Sequence, residues 1–461
     1  MNTVPTTNDA FKFMMQSECV LTRMSANGVK VDVEYMRRTM PELKVRCEEL
    51  KQQFLAETPL GQKWQSIYGA RVDLDSDAQT VKVLKAYGFD KFRITDKGNV
   101  SVDKKVKEKL SYEDSHLLLK RDKLKTIWQN LMGRTILECD ENDLIHPLFQ
   151  IHTARTYRGS CEAPNLQNQP KHDEDQKHII RSAFLPRTPD RCLAELDLRG
   201  NEVSCGCSIH HDKKMLEYLS HPETANMHKD VATHVFMLDP EDYTKGLRQG
   251  VKGPFVFAGF YGAGYESMAR NLWDWCTEKK EKTAKGITIL EHLANKGITC
   301  FAEFEEHIKK EYDWFWFDLF RDYGLWKEAQ WELYKRQGFL DYPTGFRATD
   351  IMTKTQTINT VVQGSSFHVL LAQLWETQKM MDKYKFKSLI VGEIHDSGLF
   401  DIVPNEYENI CDIYLTSQEI VRKRWPWIVY PIQIEADLGD PGASWAELKE
   451  QGELKYKGFA A

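Results

Sequence analysis

The chain has 461 residues, of which 41% are hydrophobic and 28% are charged, and its formal net charge is −6. A chain of this length can bury a large core and is expected to divide into two to four subdomains. No apolar stretch approaches the length of a membrane span and the start lacks signal-peptide features, so we expect a soluble protein without a membrane partner. The ten cysteines show no Cys-x-x-Cys spacing, which favours reduced thiols in a cytoplasmic compartment over disulfides or a zinc site.

The first predicted elements are two helices separated by a short break. Apolar spacing predicts a helix from Phe11 to Met24, and the pair Asn27-Gly28 interrupts it. Asp32 is then in position to accept a hydrogen bond from the first turn of the next helix, so we expect it to be an N-cap residue.

A basic stretch follows between Ser101 and Thr135. The acidic net charge argues mildly against a nucleic-acid partner, but DNA binding needs only a local basic track. Here nine basic residues face five acids and accompany a leucine-rich helical spacing. A solvated helix face explains the pattern equally well. The basic residues are Lys104, Lys105, Lys107, Lys109, Lys120, Arg121, Lys123, Lys125 and Arg134.

Short apolar segments that end in an aspartate occur twice. One runs from Cys192 to Asp197, and the other approaches Asp396 from Leu389. The second predicts two strands joined by a turn at Ser397-Gly398, with Asp396 at its tip. An isolated turn aspartate usually only shapes the turn. Two strand-end carboxylates, however, can share a pair of divalent metal ions, which suits phosphoryl transfer.

The region between these aspartates, from about residue 224 to 339, is predicted to be mostly helical. Arg248 and Lys252 are four residues apart, as are Phe257 and Tyr261, so each pair shares one face of a helix. A solvated basic pair and two core aromatics would show the same spacings. The Trp-rich stretch 314–331 is interpreted as aromatics buried between helices, with base stacking as the alternative.

Five segments, in order along the chain, resemble the signatures of family A DNA polymerases. Any one of them is a weak signal, but five in the family's order between about residues 156 and 398 are a strong one. They are Thr156-Tyr157-Arg158-Gly159-Ser160 with Pro164-Asn165-Leu166-Gln167-Asn168-Gln169-Pro170, the Asp197 segment (motif A), Arg248 to Gly262 (motif B), Asn359 to Gly364, and His395-Asp396 (motif C).

The resemblance implies a right-hand polymerase fold of mixed α/β (α+β) class. Its expected parts are an N-terminal segment packed on the base of palm and thumb (1–100), a thumb (101–150), a palm with motif A (151–225), fingers with motif B (226–339) and a palm with motif C (340–461). Residues 25–32 also resemble the opening of the family's polymerase domain, which implies that no exonuclease domain precedes it. Asp32-Val33-Glu34 formally matches the Asp-x-Glu of a 3′–5′ exonuclease site, but the capping interpretation is favoured.

The resemblance also assigns roles to individual residues. Asp197 and Asp396 would be the catalytic ligands of two Mg²⁺ ions, with the Leu198 carbonyl as a further ligand. Glu202 would exclude a ribose 2′-hydroxyl and be held by the Tyr261 phenol. The dNTP-binding set is Glu202, Arg248, Lys252, Phe257, Tyr261 and Gly262. The DNA-binding set is Thr156, Arg158, Asn165, Gln167, Asn359, Gln363 and His395, although buried structural roles are open for the four amides.

The sequence departs from the family at two positions. The family usually has Glu after the motif C aspartate, whereas this chain has Ser397, which removes an auxiliary carboxylate. In motif B the first ring usually lies four residues after the lysine, but Phe257 lies five after Lys252, with Pro254 between them. In a continuous α-helix Pro254 would clash with the Gly250 carbonyl, so we expect a new helix near Pro254 or a kink that absorbs the extra residue.

The resemblance therefore implies a DNA-templated DNA polymerase that extends a primer with dNTPs. It is of phage type, serves phage or mobile-element replication in the host cytoplasm, and lacks proofreading of its own. Its implied partners are primer-template DNA, dNTPs and a separate exonuclease or processivity protein. A single-subunit RNA polymerase is the alternative within the same fold, and Glu202 and the Pro-Asn-Leu-Gln-Asn signature count against it. A non-catalytic DNA-binding scaffold is disfavoured by the two aspartates, and a nuclease by the missing acidic cluster.

Overall fold

The computed structural model describes residues 5–90, 92–94, 98, 100–154, 156–169, 174–221, 226–430 and 432–458. Pro170, the last residue of the first signature, and the first four residues lie outside these ranges. Helices and strands follow one another in a mixed α/β architecture, which confirms the predicted fold class. Within the described ranges, no helix combines the length and apolar character that crossing a bilayer would require.

The first third of the chain is mainly helical. Its helices are α1 (Thr7–Asn27), α2 (Val33–Glu57), α3 (Pro59–Tyr68), α4 (Asp77–Ala86), α5 (Lys104–Lys107), α6 (Tyr112–Lys125) and α7 (Gly133–Glu138), and a π-helical turn (Thr126–Met132) joins the last two. Its strands are β1 (Val29–Val31), β2 (Arg93–Ile94), β3 (Val100–Ser101), β4 (Leu144–Ile145), β5 (Leu148–Gln150) and β6 (Ser160–Glu162). Gly28, with a φ of 67°, ends α1, and the Asp32 carboxylate caps α2 by accepting from the Tyr35 amide at 2.8 Å.

A long helical insertion follows the strand that carries Asp197. The preceding elements are α8 (Glu174–Arg181), β7 (Phe184–Leu185) and β8 (Cys192–Leu198). The helices are α9 (Asn201–His210), α10 (Lys213–Ser220), α11 (Met227–Val235), α12 (Lys245–Val251), α13 (Ala258–Phe260), α14 (Tyr265–Lys279), α15 (Ile289–Asn295), α16 (Phe301–Asp313) and α17 (Arg321–Gln337). Two π-helical turns, Lys252–Phe257 and Trp314–Leu319, lie between them, and the short strands β9 (Leu340–Asp341) and β10 (Arg347–Ala348) end the insertion.

The last third of the chain completes a five-stranded antiparallel sheet in the order β11-β12-β8-β13-β14. Its elements are α18 (Lys354–Lys383), β11 (Leu389–Ile394), β12 (Ser397–Ile402), α19 (Tyr407–Arg424), β13 (Ile434–Leu438) and β14 (Lys449–Glu453). Because β8 is paired with β12 on one side and with β13 on the other, the strand of Asp197 lies in the middle of the sheet.

The hairpin of β11 and β12 corrects one prediction. The turn was expected at Ser397-Gly398, but both residues belong to β12, and the turn consists of His395 and Asp396. His395 takes the left-handed backbone conformation that a tight turn requires, with a φ of 60°. Asp396 therefore lies at the tip of the hairpin, as predicted, while Ser397 is buried in the sheet.

Buried apolar side chains form separate clusters rather than one continuous core. The largest surrounds the five-stranded sheet and includes residues of α1, α18 and α19. A second lies within the helical insertion and contains Phe315 and Trp316 of the Trp-rich stretch, which are therefore core residues. A third joins Phe54 and Trp64 to Val106 and Leu118, and thus spans both sides of position 100.

The basic stretch is divided between an internal ion-pair network and the surface. Arg121 and Lys125 contact Asp75 at 2.6 and 2.7 Å, and Lys107 contacts Asp122 at 2.5 Å. Burial alone would raise the pKa of Asp75, but the hydrogen bonds from its two cationic partners lower it to about 2. The exposed members are Lys104, Lys109, Lys120, Lys123 and Arg134, and the side chain of Lys105 lies outside the described part of the structure.

Candidate active site

The two aspartates that the sequence singles out lie side by side at the same end of the central sheet. Asp197 stands opposite Ser397 in the pairing of β8 with β12, which places Asp396 next to the end of β8. The Leu198 amide donates a hydrogen bond to the Asp396 carbonyl at 3.0 Å, so the backbone fixes the hairpin tip against β8. Two carboxylates from separate strands are therefore brought together.

The electrostatics of this region fit a divalent cation. Burial, followed by the charges of Asp197 and Asp396, raises the pKa of the Tyr414 phenol. Burial and the Asp396 charge likewise raise the pKa of Glu202 to about 6, against the opposing effect of Arg158. No group of three or more His, Cys, Asp or Glu side chains within the described ranges is arranged to hold a metal. A metal bound by the two aspartates would therefore take its remaining ligands from backbone carbonyl, water or phosphate oxygens, as Mg²⁺ commonly does.

Ser397, which replaces the family's glutamate, has a structural partner. Its hydroxyl donates to the Glu195 carboxylate at 2.8 Å, and the Trp445 indole donates to the other oxygen of that carboxylate at 3.0 Å. Arg181 lies 3.6 Å from Glu195 and stacks on the Trp445 ring. Ser397 thus donates a hydrogen bond to the buried Glu195, whereas the family's glutamate would supply a carboxylate beside Asp396.

Glu202 is shared by two residues from distant parts of the chain. The Tyr261 hydroxyl donates a hydrogen bond to one carboxylate oxygen, and an Arg158 Nη2 atom lies 3.5 Å from the other. Glu202 projects from the first turn of α9, directly after the strand of Asp197, so its position follows from that of the sheet. Arg158, Tyr261 and the Asp197 strand therefore converge on one partly buried carboxylate.

The extra residue of motif B is absorbed by a π-helical turn. The new helix expected as one alternative near Pro254 does not form, and Lys252–Phe257 instead continues from α12 into α13 as π-helix, a local irregularity that absorbs the extra residue as the other alternative predicted. Hydrogen bonds in a π-helix span five residues rather than four, so Lys252 and Phe257 share one face. The Lys252 Nζ atom accordingly lies 5.8 Å from the centre of the Phe257 ring. The lysine and the first aromatic ring are adjacent despite the wider spacing.

The rest of motif B lines the same cleft. Arg248 Nε contacts the Asn226 carboxamide at 3.4 Å, and Arg248, Lys252 and Phe257 face one cavity. The rings of Phe257 and Tyr261 are nearly parallel, with an interplanar angle of 21° and centres 6.4 Å apart. Gly262 has a φ of 84° and ends this segment, a conformation that a side chain at that position would disfavour.

His228 is a member of this cleft that the sequence analysis missed. It lies on α11 beside Phe257, with ring centres 5.9 Å apart, and its buried Nδ1 atom has no hydrogen-bond partner within the described residues. Burial, together with the charges of Arg248 and Lys252, lowers its pKa to about 4. A neutral imidazole therefore stands beside two cations. The available signal was its position, twenty residues before Arg248 in the region predicted to be mostly helical.

The polar residues of the other signatures contact one another, the motif B segment or their own turns. A Cβ atom at Gly364 would lie 2.5 Å from the Thr156 carbonyl, so the segments of Thr156 and Gln363 pack directly together. The Asn359 amide donates to the Tyr261 carbonyl at 3.5 Å. Asn165 accepts from the Asn168 amide at 2.9 Å and so stabilises its own turn. His395 forms the hairpin turn beside Asp396.

Glu393 is a second residue that the sequence analysis missed. It is 1% exposed, and one of its carboxylate oxygens accepts a hydrogen bond from the Gln167 amide at 2.6 Å. Burial, with the Asp396 charge, raises its pKa to about 8, while Gln167 and Arg158 oppose that shift. The signal available in the sequence was an acid inside an otherwise apolar strand, three residues before Asp396.

Comparison with known proteins places this architecture among polymerases. The model of DNA polymerase family A matches residues 43–295, which is more than half of the chain. The chain is similar to DNA polymerase theta of Drosophila melanogaster, with 26% identity over 89% of this chain and 19% of the relative. It is also similar to DNA polymerase I of Bacillus subtilis (strain 168), with 23% identity over 84% of this chain and 41% of the relative. The chain thus spans about a fifth to two fifths of the length of these relatives.

The fold agrees with a solved structure of the same kind. The POL domain of Pol1 from M. smegmatis, determined in complex with DNA primer-template and dNTP, superposes with a TM-score of 0.73 and 18% identity. The match covers 94% of this chain and 70% of that one. The helical insertion, the central sheet and the motif B segment thus share the fold of a polymerase domain. By its sequence, the chain belongs to DNA polymerase family A.

Proposed function

We propose that the chain is a DNA-templated DNA polymerase that extends a primer with dNTPs. The observation that carries the proposal is the placement of Asp197 and Asp396 at adjacent strand ends, where the Leu198 amide bonds the Asp396 carbonyl. Family membership supports the reaction class, and the convergence of Arg158, Glu202 and Tyr261 beside the aspartates supports the substrate class.

Asp197 and Asp396 would hold two Mg²⁺ ions, and the Leu198 carbonyl would add a backbone oxygen. When bound, such ions lower the pKa of the primer 3′-hydroxyl and neutralise charge on the triphosphate and the leaving pyrophosphate. The protein's own contribution is to fix the two carboxylates on paired strands, so that neither moves when substrate arrives. The carbonyl of Asp396 is tied to β8 for the same reason.

The cleft formed by Arg248, Lys252 and His228 would bind the triphosphate. Two fixed cations attract phosphate oxygens, and the neutral His228 can donate one hydrogen bond without adding charge. Phe257 and Tyr261, with nearly parallel rings, would pack against the sugar and base of the nucleotide. Gly262 would allow the chain to turn beside them.

Glu202 would exclude the 2′-hydroxyl of a ribonucleotide, since its carboxylate is held in place by Tyr261 and Arg158. Arg158 and Gln167 would contact the minor-groove edge of the primer-terminal pair, where purine N3 and pyrimidine O2 are acceptors. Thr156, Asn165, Asn359, Gln363 and His395 would border the same DNA. Asn165 also stabilises its turn, so its DNA contact would be secondary.

The proposed subdomains follow the family's hand-like layout. The central sheet with residues 151–225 and 340–461 would be the palm, residues 226–339 the fingers and residues 101–150 the thumb, with residues 1–100 at the base of palm and thumb. The exposed lysines of the proposed thumb would face the DNA backbone. Lys107 pairs with Asp122 inside the proposed thumb, whereas Arg121 and Lys125 pair with Asp75 and so join the thumb to the 1–100 segment.

The decisive test is primer extension with separate dNTP and rNTP pools in the presence of Mg²⁺. We expect dNTP extension, and its loss by at least about a thousandfold in Asp197→Asn and Asp396→Asn, because each removes a charged metal ligand. Asp382→Asn, which alters an exposed carboxylate paired with Arg23, is the matched control and should extend normally. Efficient rNTP use, or normal extension by either active-site variant, would contradict the proposal.

We further propose that these residues carry no 3′–5′ exonuclease activity, because the Asp32 carboxylate is used to cap α2. Incubation with a mismatched primer, Mg²⁺ and no dNTP should leave the primer intact, and shortening that Asp32→Ala abolishes would refute this. Proofreading and processivity would then require separate proteins. Phage or mobile-element replication is the setting we propose, on the likeness of the five signatures, and sequencing the DNA around the gene tests it.

A further inference from the structure

Glu393 links both parts of the first signature to the strand that leads to motif C, through one buried side chain. It lies on β11 three residues before Asp396, and it pairs with Gly398 of β12. Its carboxylate accepts from the Gln167 amide, and a Cβ atom at Gly159 would approach the same oxygen to 2.9 Å. The backbone next to Arg158, the side chain of Gln167 and the strand leading to Asp396 thus meet at Glu393.

The hydrogen bond determines how the Gln167 amide is presented. One N–H of the amide is directed to Glu393, which leaves the carbonyl oxygen and the second N–H for other partners. Gln167 is 9% exposed, so little room remains for the amide to rotate freely. An acceptor oxygen at position 393 therefore fixes the orientation of an amide that would otherwise have two.

The surroundings of Glu393 keep it in this role. Arg158 and Asp396 face it with opposite charges, and the Cys161 thiol is close enough for the Glu393 charge to raise its pKa. Because burial raises the pKa of Glu393, the group also bonds Gln167 as a neutral acid, whose carbonyl oxygen accepts in the same way. The acceptor is thus present in either protonation state.

We propose that Glu393 is a positioning residue that orients the Gln167 amide toward the minor-groove edge of the primer-terminal base pair, and thereby helps the enzyme to distinguish paired from mispaired primer ends. This inference rests on the proposed polymerase function and assigns a discriminating element to the same site. The recognised chemistry is a hydrogen-bond acceptor at purine N3 or pyrimidine O2, which occupies an equivalent position only in correctly formed pairs.

The test compares primers that end in adenine or in 3-deazaadenine, which replaces the N3 acceptor with C–H. Wild type should extend the 3-deaza primer at least about fivefold more slowly, because one hydrogen bond to the base is lost. Glu393→Leu removes the acceptor at similar size and should reduce this penalty to the part that Arg158 contributes. Glu393→Gln keeps an acceptor oxygen and is the conservative control, which should retain the penalty within about twofold.

Two further variants separate positioning from a general structural role. Gln167→Ala should reduce the 3-deaza penalty as much as Glu393→Leu does and should extend mismatched ends more readily. Glu393→Leu combined with Gln167→Ala should add nothing to either effect. The penalty is a ratio within one protein sample, so partial unfolding of a variant does not change it. If the effects of the two substitutions add up in the double variant, Glu393 does not act through Gln167 and the proposal is overturned.

The outcomes also separate this inference from the function on which it rests. A wild-type protein that extends no primer refutes the polymerase proposal itself. A wild-type protein that extends both primers equally shows that Gln167 does not contact the base, and overturns the inference alone. A penalty that persists unchanged in Glu393→Leu likewise overturns it, since Gln167 would then be oriented without Glu393.

Discussion

Glu202 illustrates how much one side chain in this site depends on others. Its carboxylate meets Tyr261 from the motif B segment and Arg158 from the first signature, and burial raises its pKa to about 6. It is therefore predominantly ionised at neutral pH and held from two sides. A side chain restrained in this way can act as a steric barrier, because it cannot swing aside at low cost.

We expect Glu202→Ala to raise the ratio of rNTP to dNTP insertion by at least about tenfold, since a lost steric or polar contact is worth a few kcal/mol. Use of dNTP should also fall, because Tyr261 loses its acceptor. Single-nucleotide insertion with matched rNTP and dNTP measures both. Glu202→Gln preserves the size and should leave the ratio near that of wild type, and an unchanged ratio in Glu202→Ala would remove the residue from the sugar pocket.

Ser397 should not tolerate the glutamate that the family usually has there. A glutamate would bury a second carboxylate against that of Glu195. Arg181 lies 3.6 Å from Glu195 and already faces that acid. We expect Ser397→Glu to lower the free energy of unfolding by on the order of 3 kcal/mol, because a buried charge is left uncompensated. Urea denaturation measures the loss.

Two control variants identify the cause of the stability loss expected for Ser397→Glu. Ser397→Ala should cost less, since only one hydrogen bond is removed, and Glu195→Gln combined with Ser397→Glu should recover part of the stability. If the Ser397→Glu protein were as stable as wild type, a second negative charge beside Glu195 would cost no stability, and the prediction would be wrong.

Single residues also show how far sequence reasoning reaches. Asp197 and Asp396 were predictable because each ends an apolar strand, and strand ends are where a sheet presents side chains. Glu393 and His228 were not, since their importance comes from neighbours that only the folded chain supplies. Gln167 is distant from Glu393 in sequence, and no periodicity connects them.

At the scale of an element, the π-helical turn Lys252–Phe257 compensates for an inserted residue. At α-helical spacing the extra residue would rotate Lys252 away from Phe257 by about a quarter turn, and the π-helical winding brings the two side chains back together. Pro254 lacks an N–H and cannot continue an α-helical hydrogen-bond ladder, so wider winding costs little at this point. The irregularity therefore preserves a contact that regular geometry would have broken.

This interpretation predicts the effect of changing the segment length. Deletion of Pro254 should give a continuous α-helix with Lys252 and Phe257 four apart, and should keep the KM for dNTP within about threefold of wild type. Insertion of one alanine after Gly253 should rotate Lys252 by about 100° and raise that KM at least about tenfold. A Cβ atom added at Gly253 would point into open space among the described residues, so Gly253→Ala controls for composition. Equal losses on deletion and insertion would show that the π-turn itself is needed.

At the scale of the whole molecule, the helical insertion has a hydrophobic cluster separate from the one around the central sheet. The insertion has its own core, and Lys327 is buried within it at 6% exposure. The centre of the Trp316 ring lies 3.4 Å from the Lys327 Nζ atom and favours the charged form, but burial outweighs it and lowers the pKa of Lys327 to about 7. The charged form of Lys327 is therefore destabilised by its burial in the core of the insertion.

The sign of the resulting pH dependence follows from that shift. Between pH 7 and about 10.4, the pKa of an unfolded lysine, the unfolded state binds more protons than the folded one, so stability rises with pH. The slope cannot exceed about 1.4 kcal/mol per pH unit. Below pH 7 both states are charged and the full penalty remains. We expect Lys327→Met to raise the stability at pH 7 and to remove this slope.

Urea denaturation at pH 7 and 9.5, followed by tryptophan fluorescence, measures the difference. Lys335→Met is the matched control, because Lys335 lies on the same helix, is exposed and is paired with Glu332, and it should keep the slope. A wild-type protein with equal midpoints at both values of pH would show that Lys327 stays charged in the folded state.

The overall architecture was more predictable than its details. The helical insertion and the strand that carries Asp197 followed from hydrophobic periodicity and from motif order. The position of the β11–β12 turn could not be predicted in this way. Ser397-Gly398 is the pair that usually forms a turn, but the left-handed backbone conformation of the turn is adopted by His395. The sequence also did not predict that residues before and after position 100 share one hydrophobic cluster, since that cluster depends on contacts between distant parts of the chain.

The strand order of the central sheet has a consequence for how the protein is made. β8 lies between β12 and β13, and its Asp197 is separated from Asp396 by about 200 positions of chain. During synthesis β8 emerges with both edges unpaired, whereas the helical insertion that follows can form its own local contacts at once. The insertion is therefore expected to fold first, and the carboxylate pair to assemble only after β12 has left the ribosome. We therefore expect the nascent chain to bring Arg248, Lys252 and Phe257 together before it has its metal site, whereas Tyr430 and Gln433 complete the lining of that cavity later.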